Sequence, residues 1–206
     1  MVMLLALTLL ALPQEPASPG PVQKQPLPDE STYVEIVDVP LPDHVVLEVG
    51  GLVQQGSSLF VATRRGEVWR IEDAAGEQPK ATLWAEGLME PLGLIERDGW
   101  LYCAQRGELS RMRDVSGNGR MDELETVADG WPISGNYHEY CFGPAVAGDG
   151  SFWLTLNKPF GGEPFGRAPW RGWAIRIPAE GGSFEPVCAG LRSPCGIGTG
   201  PEGLVW

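Results

Sequence analysis

Positive charge is scarce along this chain, with 15 Lys and Arg against 27 Asp and Glu and a net charge of −12 over 206 residues. Phosphate backbones and anionic bilayers are held by clustered Lys and Arg, so the balance argues against a nucleic acid or an anionic membrane as partner. Long apolar runs are missing after Leu12, which leaves no later segment long enough to cross a bilayer. Cysteine is sparse, and none of Cys103, Cys141, Cys188 and Cys195 has the CxxC spacing of a zinc or redox site. The four fit an oxidising compartment, where they allow three pairings. Small buried thiols inside strands are an equal reading for Cys103 and Cys141.

Turn formers are plentiful. The chain has 28 Gly and 19 Pro, which suits many tight turns and a β-rich fold, and eight Trp supply bulk for a core. It opens on "MVMLLALTLLAL", an apolar run too short to span a bilayer, followed by Pro-rich polar sequence. Residues 1–13 read as a secretory signal peptide, although no Lys or Arg precedes the run. The mature protein is then exported, to the periplasm or the cell exterior. Residues 14–32 read as a disordered linker, and residues 33–206 as one β domain.

That domain repeats itself. "SLFVATRRGEVWRI" begins at Ser58, "WLYCAQRGELSRM" at Trp100, and "SFWLTL" at Ser151 with "GWAIRI" from Gly172. The steps are 42 and 51 residues. Each unit has an apolar strand, a turn, and a strand ending in Arg plus an aliphatic residue. "GLMEPLGL" at Gly87 and "GLRSPCGI" at Gly190 recur between units. Several short strands at that period mark an all-β propeller with one four-stranded blade per repeat. Expected strands are Val45–Gly50, Leu59–Thr63, Glu67–Ile71 and Ala81–Trp84 in blade one. Leu92–Glu96, Trp100–Gln105, Glu108–Met112 and Glu125–Val127 form blade two, and Tyr140–Gly143, Ser151–Leu156, Trp173–Ile177 and Phe184–Cys188 form blade three. Gly203–Trp206 looks like the second strand of a fourth. Closed propellers have about four to eight blades, so the chain reads as the N-terminal part of a longer propeller, with an exposed edge on blade three.

Strand alternation sorts the loops. In an up-and-down blade the A–B and C–D turns leave at one end, and the B–C turns and inter-blade links at the other. "DVSGNGRMDELE" falls in the C–D turn of blade two. It has the ligand order of an EF-hand loop without flanking helices: Asp114, Ser116, Asn118, the Arg120 carbonyl, Asp122 and Glu125. It reads as a structural calcium site of modest affinity or as a Gly-rich turn that binds no metal. Blade three carries an insertion of about 14 residues in its B–C turn, within Asn157–Gly172. That rim should gather His138, Glu139, Arg192, Arg167, Arg171 and Trp170, where loops converge over a propeller channel. On its own, His138 reads as a loop histidine bonded to nearby backbone. Glu139 either orients it or is solvated. Arg64, Arg65 and Arg106 read as turn residues, and His44 as structural.

"SGNYHEYCFGP…DGSFWLTL" and "GLRSPCGI" resemble the "H…FGPDGxLYVT" and "GxRNPxG" segments of the soluble quinoprotein glucose/sorbosone dehydrogenase-like propellers. Residues 38–206 also resemble exported bacterial proteins often labelled membrane-bound dehydrogenases. The resemblance implies a PQQ-dependent dehydrogenase, with calcium, oxidising a small-molecule sugar or polyol. An attached haem domain or a haem protein would accept the electrons. It implies His138 as general base and Arg192 as a contact to the quinone. Tyr140 and Cys141 stand where that group usually has glycines, and Ser193 where it has Asn. A non-catalytic propeller that binds protein or glycan is the alternative, because this architecture serves many functions.

Overall fold

The computed structural model describes residues 29–36, 38–159 and 168–206. The signal peptide and most of the linker expected from the sequence lie outside the described residues. Two compact units divide at Val37/Asp38. In the first, a 3-10 turn over Glu30–Thr32 is capped by Asp29, whose Oδ1 accepts from Ser31 N (3.1 Å) and Ser31 Oγ (2.8 Å).

The second unit is all-β among its described residues. Blade one is β1 (Val49–Gln55), β2 (Ser58–Thr63), β3 (Glu67–Glu72) and β4 (Lys80–Ala85). Blade two is β5 (Leu94–Arg97), β6 (Trp100–Ala104), β7 (Glu108–Arg113) and β8 (Glu123–Asp129). Blade three is β9 (Cys141–Val146), β10 (Phe152–Leu156), β11 (Trp173–Ile177) and β12 (Glu185–Ala189). Each blade is a meander whose strands pair antiparallel in chain order. These are the blades the 42- and 51-residue steps predict. After them, Gly198–Trp206 folds back on itself, with a bridge between Thr199 and Val205.

One strand is displaced. The sequence predicts Val45–Gly50, and β1 lies at Val49–Gln55. The hairpin sets this register: Gln55 pairs with Ser58 across Gly56-Ser57, and Gly56 takes φ +60°, which an L side chain rarely adopts. The strand therefore carries two glycines, which β-propensity disfavours. Their place explains them. β1, β5 and β9 approach backbone to backbone: a Cβ on Gly93 would sit 1.6 Å from the Gly143 carbonyl oxygen, and one on Gly51 would sit 2.6 Å from Gly93 Cα.

The blades stack face to face around two cores. Phe60, Ala62, Val68 and Trp84 of blade one meet Leu101, Cys103 and Met112 of blade two. Trp100, Tyr102, Leu109 and Trp131 meet Phe152, Leu154, Ile175 and Ile177 of blade three. Alternation along β6 divides it between the two cores, and each large apolar side chain buried adds about 1.5–3 kcal/mol. Trp100 sits under two guanidinium groups, Arg111 at 4.3 Å and Arg113 at 4.0 Å from its ring centre. These are held by Glu125 and Glu123. All four cysteines are free thiols. Burial pushes the Cys141 thiol up to about 12 and the Cys103 thiol higher, which makes both inert at neutral pH. β12 is exposed along its length. Among the described residues no helix is long and apolar enough to cross a membrane.

Candidate functional site

The rim formed by the B–C turns and the inter-blade links is tied together by charged side chains that cross between segments. Arg171, near the end of the segment that carries the blade-three insertion, is buried. Its guanidinium donates only to carbonyls: Nε and Nη2 to Pro132 O (3.2 and 3.1 Å), Nη2 to Arg106 O (3.3 Å), and Nη1 to Glu139 O (3.0 Å) and Tyr140 O (3.2 Å). Burial holds this guanidinium below its ordinary pKa. Glu139 is fully buried, and its carboxylate accepts from Ser134 N (2.7 Å) and Ser134 Oγ (2.6 Å). Of the two roles expected for Glu139, solvation is therefore ruled out. Its carboxylate closes the loop before His138.

His138 is half-buried beside it. Its N–H donates to Asn136 Oδ1 (3.0 Å), and its ring stacks on Tyr137 at 3.8 Å between centres. Tyr140 meets it edge-on at 6.2 Å. Tyr140 also accepts from Arg64 Nη2 (3.3 Å) and lies beneath that guanidinium. Arg64 pairs with Glu90 at 2.9 Å, and Glu90 reaches Arg106 Nη1 at 3.5 Å. That second separation exceeds a hydrogen bond. Glu90 Oε2 and Arg106 Nε accordingly lack hydrogen-bond partners among the described residues. Glu90 itself stands at φ +51°, a strained backbone for a side chain of this kind. Arg106 also donates to Asn136 O, and its own carbonyl accepts from Trp131 Nε1 (3.1 Å).

Arg192 lies at the same end of blade three. Its carbonyl accepts from Lys158 N (3.0 Å), and the adjoining Asn157 N donates to Tyr140 O (3.0 Å). Its side chain is exposed at a cleft of about 630 Å³ that Lys158, Arg171, Trp173 and Leu191 also line. Three cations at one cleft are notable in a chain of net charge −12. Trp170 is not free at the rim, because it packs edge-on against Trp173 (5.8 Å) and Phe184 (6.1 Å). Arg167 lies outside the described residues. Sequence reading passed over Glu90, noted Tyr140 only as a departure from the resembling motif, and set Arg64 and Arg106 aside as turn residues. No spacing marks any of them, since their partners lie 16 to 76 residues away.

The calcium-like loop occupies the opposite end, as strand alternation requires. Asp114 Oδ1 accepts from Gly117 N (2.7 Å) and Asn118 N (3.1 Å), and Asp114 Oδ2 from Gly119 N (2.7 Å). Asp122 accepts from Val115 N (2.7 Å) and Ser116 N (3.0 Å), and Asn118 Oδ1 from Arg120 N (2.8 Å). Glu125 is paired with Arg111 at 2.6 Å. Among the described residues no three His, Cys, Asp or Glu side chains are grouped to hold a metal. In this conformation the Asp114, Asn118 and Asp122 oxygens serve the loop's own amides and Glu125 serves Arg111. The loop also straps blade two to blade one: Met121 N donates to Trp84 O (2.8 Å), Met121 packs on the first core, and Arg120 pairs with Glu86 (3.3 Å).

No family model matches the chain, and no curated protein matches it. Solved structures do. A glucose dehydrogenase superposes with TM-score 0.58 at 18% identity, over 78% of this chain and 56% of its own. The holo form of the pyranose dehydrogenase PQQ domain from Coprinopsis cinerea superposes with TM-score 0.60 at 12% identity, over 78% and 43%. A Trichoderma reesei carbohydrate-active enzyme of family AA12 gives TM-score 0.59 at 13% identity, over 73% and 42%. The likeness is one of fold: the chain shares the four-stranded, β-propeller-like blades of these structures. The chain spans about half the length of these structures.

Proposed function

We propose that this chain is part of an exported quinoprotein-type dehydrogenase that oxidises a sugar or polyol. The observation that carries the reading is the rim itself. His138 is fixed in a main-chain network at the same end of blade three as the cationic cleft of Lys158, Arg171 and Arg192. The fold shared with glucose and pyranose dehydrogenases supports it.

The cleft's donor set suits a polyanionic cofactor such as pyrroloquinoline quinone, with Lys158 and Arg192 meeting its carboxylates. When bound, the quinone supplies the hydride acceptor. The chain's own residues then have two tasks. Removing a hydride from a carbinol C–H needs a base on the neighbouring hydroxyl, and the His138 imidazole takes that proton. Arg192 supplies positive charge where negative charge develops on the cofactor. Electrons leave to a haem domain or haem protein.

The cofactor assignment is tested by titrating the full-length protein with pyrroloquinoline quinone and following Trp fluorescence. Saturable quenching is expected, with Arg192→Ala weakening it roughly tenfold or more, the worth of a charge-assisted contact. Absence of binding by the wild type would return the chain to the reading of a non-catalytic scaffold.

A further inference from the structure

We infer that Arg171 is the positioning residue for His138, acting by clamping the main chain at Glu139 and Tyr140. The inference rests on the reading of His138 as the base. A guanidinium has five N–H donors, and Arg171 makes five bonds, all to carbonyls of blade-two turns and links. Two of those carbonyls belong to the residues directly after His138. A third, Arg106 O, ties the clamp to the other side: Arg106 donates to Asn136 O, and Asn136 Oδ1 takes the His138 N–H. Glu139 adds an independent closure through Ser134. The main chain that carries the imidazole is thus held on both sides of His138 by one connected network.

The choice of residue also points to this role. Burying a guanidinium without a carboxylate hydrogen bond is costly, and an apolar side chain would fill the same space at lower cost. Only a planar fork reaches carbonyls from three chain positions at once, which fixes the path of the 132–140 link. Lysine has three donors on a flexible stem and cannot reproduce it. Catalytic groups need placement within a fraction of an ångström, and a displacement of about 1 Å can cost about a hundredfold in rate.

The chain has two histidines, His44 and His138, so histidine-selective labelling of the full-length protein gives a spectrum that His138→Gln assigns. Tyr137, stacked on His138, displaces its ring signals in the wild type. In Arg171→Lys the His138 signals are expected to move toward free-histidine positions, with His44 unmoved and melting still cooperative. Turnover should fall about 10- to 100-fold in kcat, with KM within twofold. Unmoved His138 signals together with unchanged kcat would overturn the inference. If Arg171→Lys does not fold, Glu139→Gln loosens the same link and should shift the same signals by less; unmoved signals there would also overturn it. A wild type without quinone-dependent turnover removes the proposed reaction, and the ring signals then decide the clamp by themselves.

Discussion

The two ends of the blades use the same chemistry at different ranges. At the end that carries residues 114–122, Asp114 and Asp122 accept from amides three to seven residues away. At the rim, Arg64 reaches Glu90 and Tyr140, Arg106 reaches Asn136, and Arg171 reaches Arg106, across 26 to 76 residues. The first end closes a loop that is complete in itself. The second holds separate loops in register around His138. A side chain that serves a local loop leaves a pattern in the sequence, and one that joins distant loops does not.

The sharpest way to break this comparison is at the rim. Glu139→Ala removes a buried carboxylate, breaks its two bonds from Ser134, and takes away a negative charge that favours the buried Arg171 cation. A loss on the order of 3–5 kcal/mol is expected in urea unfolding. A loss under about 1 kcal/mol would mean that the link is held by something other than this network.

At the opposite end, Asp114→Ala removes three acceptor bonds from a loop made of its own backbone. About 1–2 kcal/mol should be lost, equally with chelator and with millimolar calcium. A loss seen only when calcium is present would show that the loop is built around a metal after all, with Glu125 released from Arg111.

Much of the fold was legible because it rests on local patterns. Short apolar runs such as "SLFVAT" recur, each followed across a Gly-containing turn by a strand such as "EVWRI" that ends in Arg and an aliphatic residue, so β2, β3, β6, β7, β10 and β11 fall where the repeat puts them. β1 did not, because Gly50 and Gly51 answer to the backbones of Pro91 and Gly93 in the neighbouring blade. His138 and Arg192 were reachable through motifs. Arg171 was noticed as a cation in an inserted loop, but its carbonyl partners depend on how blades two and three stack. Glu90 gave no sign, since its φ of +51° follows from the link's path and not from the residue's own preference.

Smaller effects refine the contrast. Arg64 is half-exposed, and its pair with Glu90 is shielded only in part. Arg64→Ala should therefore cost about 0.2–1 kcal/mol in stability, read by chemical denaturation, and fade with added salt. A larger, salt-independent loss would place Arg64 within the buried network. Smallest is an acid effect at the far loop. Ser116 and Val115 hold the Asp122 carboxyl below its ordinary pKa, so its contribution is present above about pH 4 and lost as pH falls through the lower folded value. Protection of the Val115 and Ser116 amides, taken relative to the intrinsic exchange rate at each pH, should fall in that acid range and stay flat between pH 5 and 8. A loss of protection near neutrality would assign the loop's closure to another group.

The central claim is that His138 takes the proton while a bound quinone accepts the hydride. Full-length protein loaded with pyrroloquinoline quinone, in calcium-containing buffer, is assayed for dye reduction against a panel of sugars and polyols, beside its His138→Ala variant. The account predicts turnover by the wild type and a fall of roughly 10²–10⁴ in kcat for His138→Ala, with quinone still bound. Turnover by His138→Ala at the wild-type rate would contradict it.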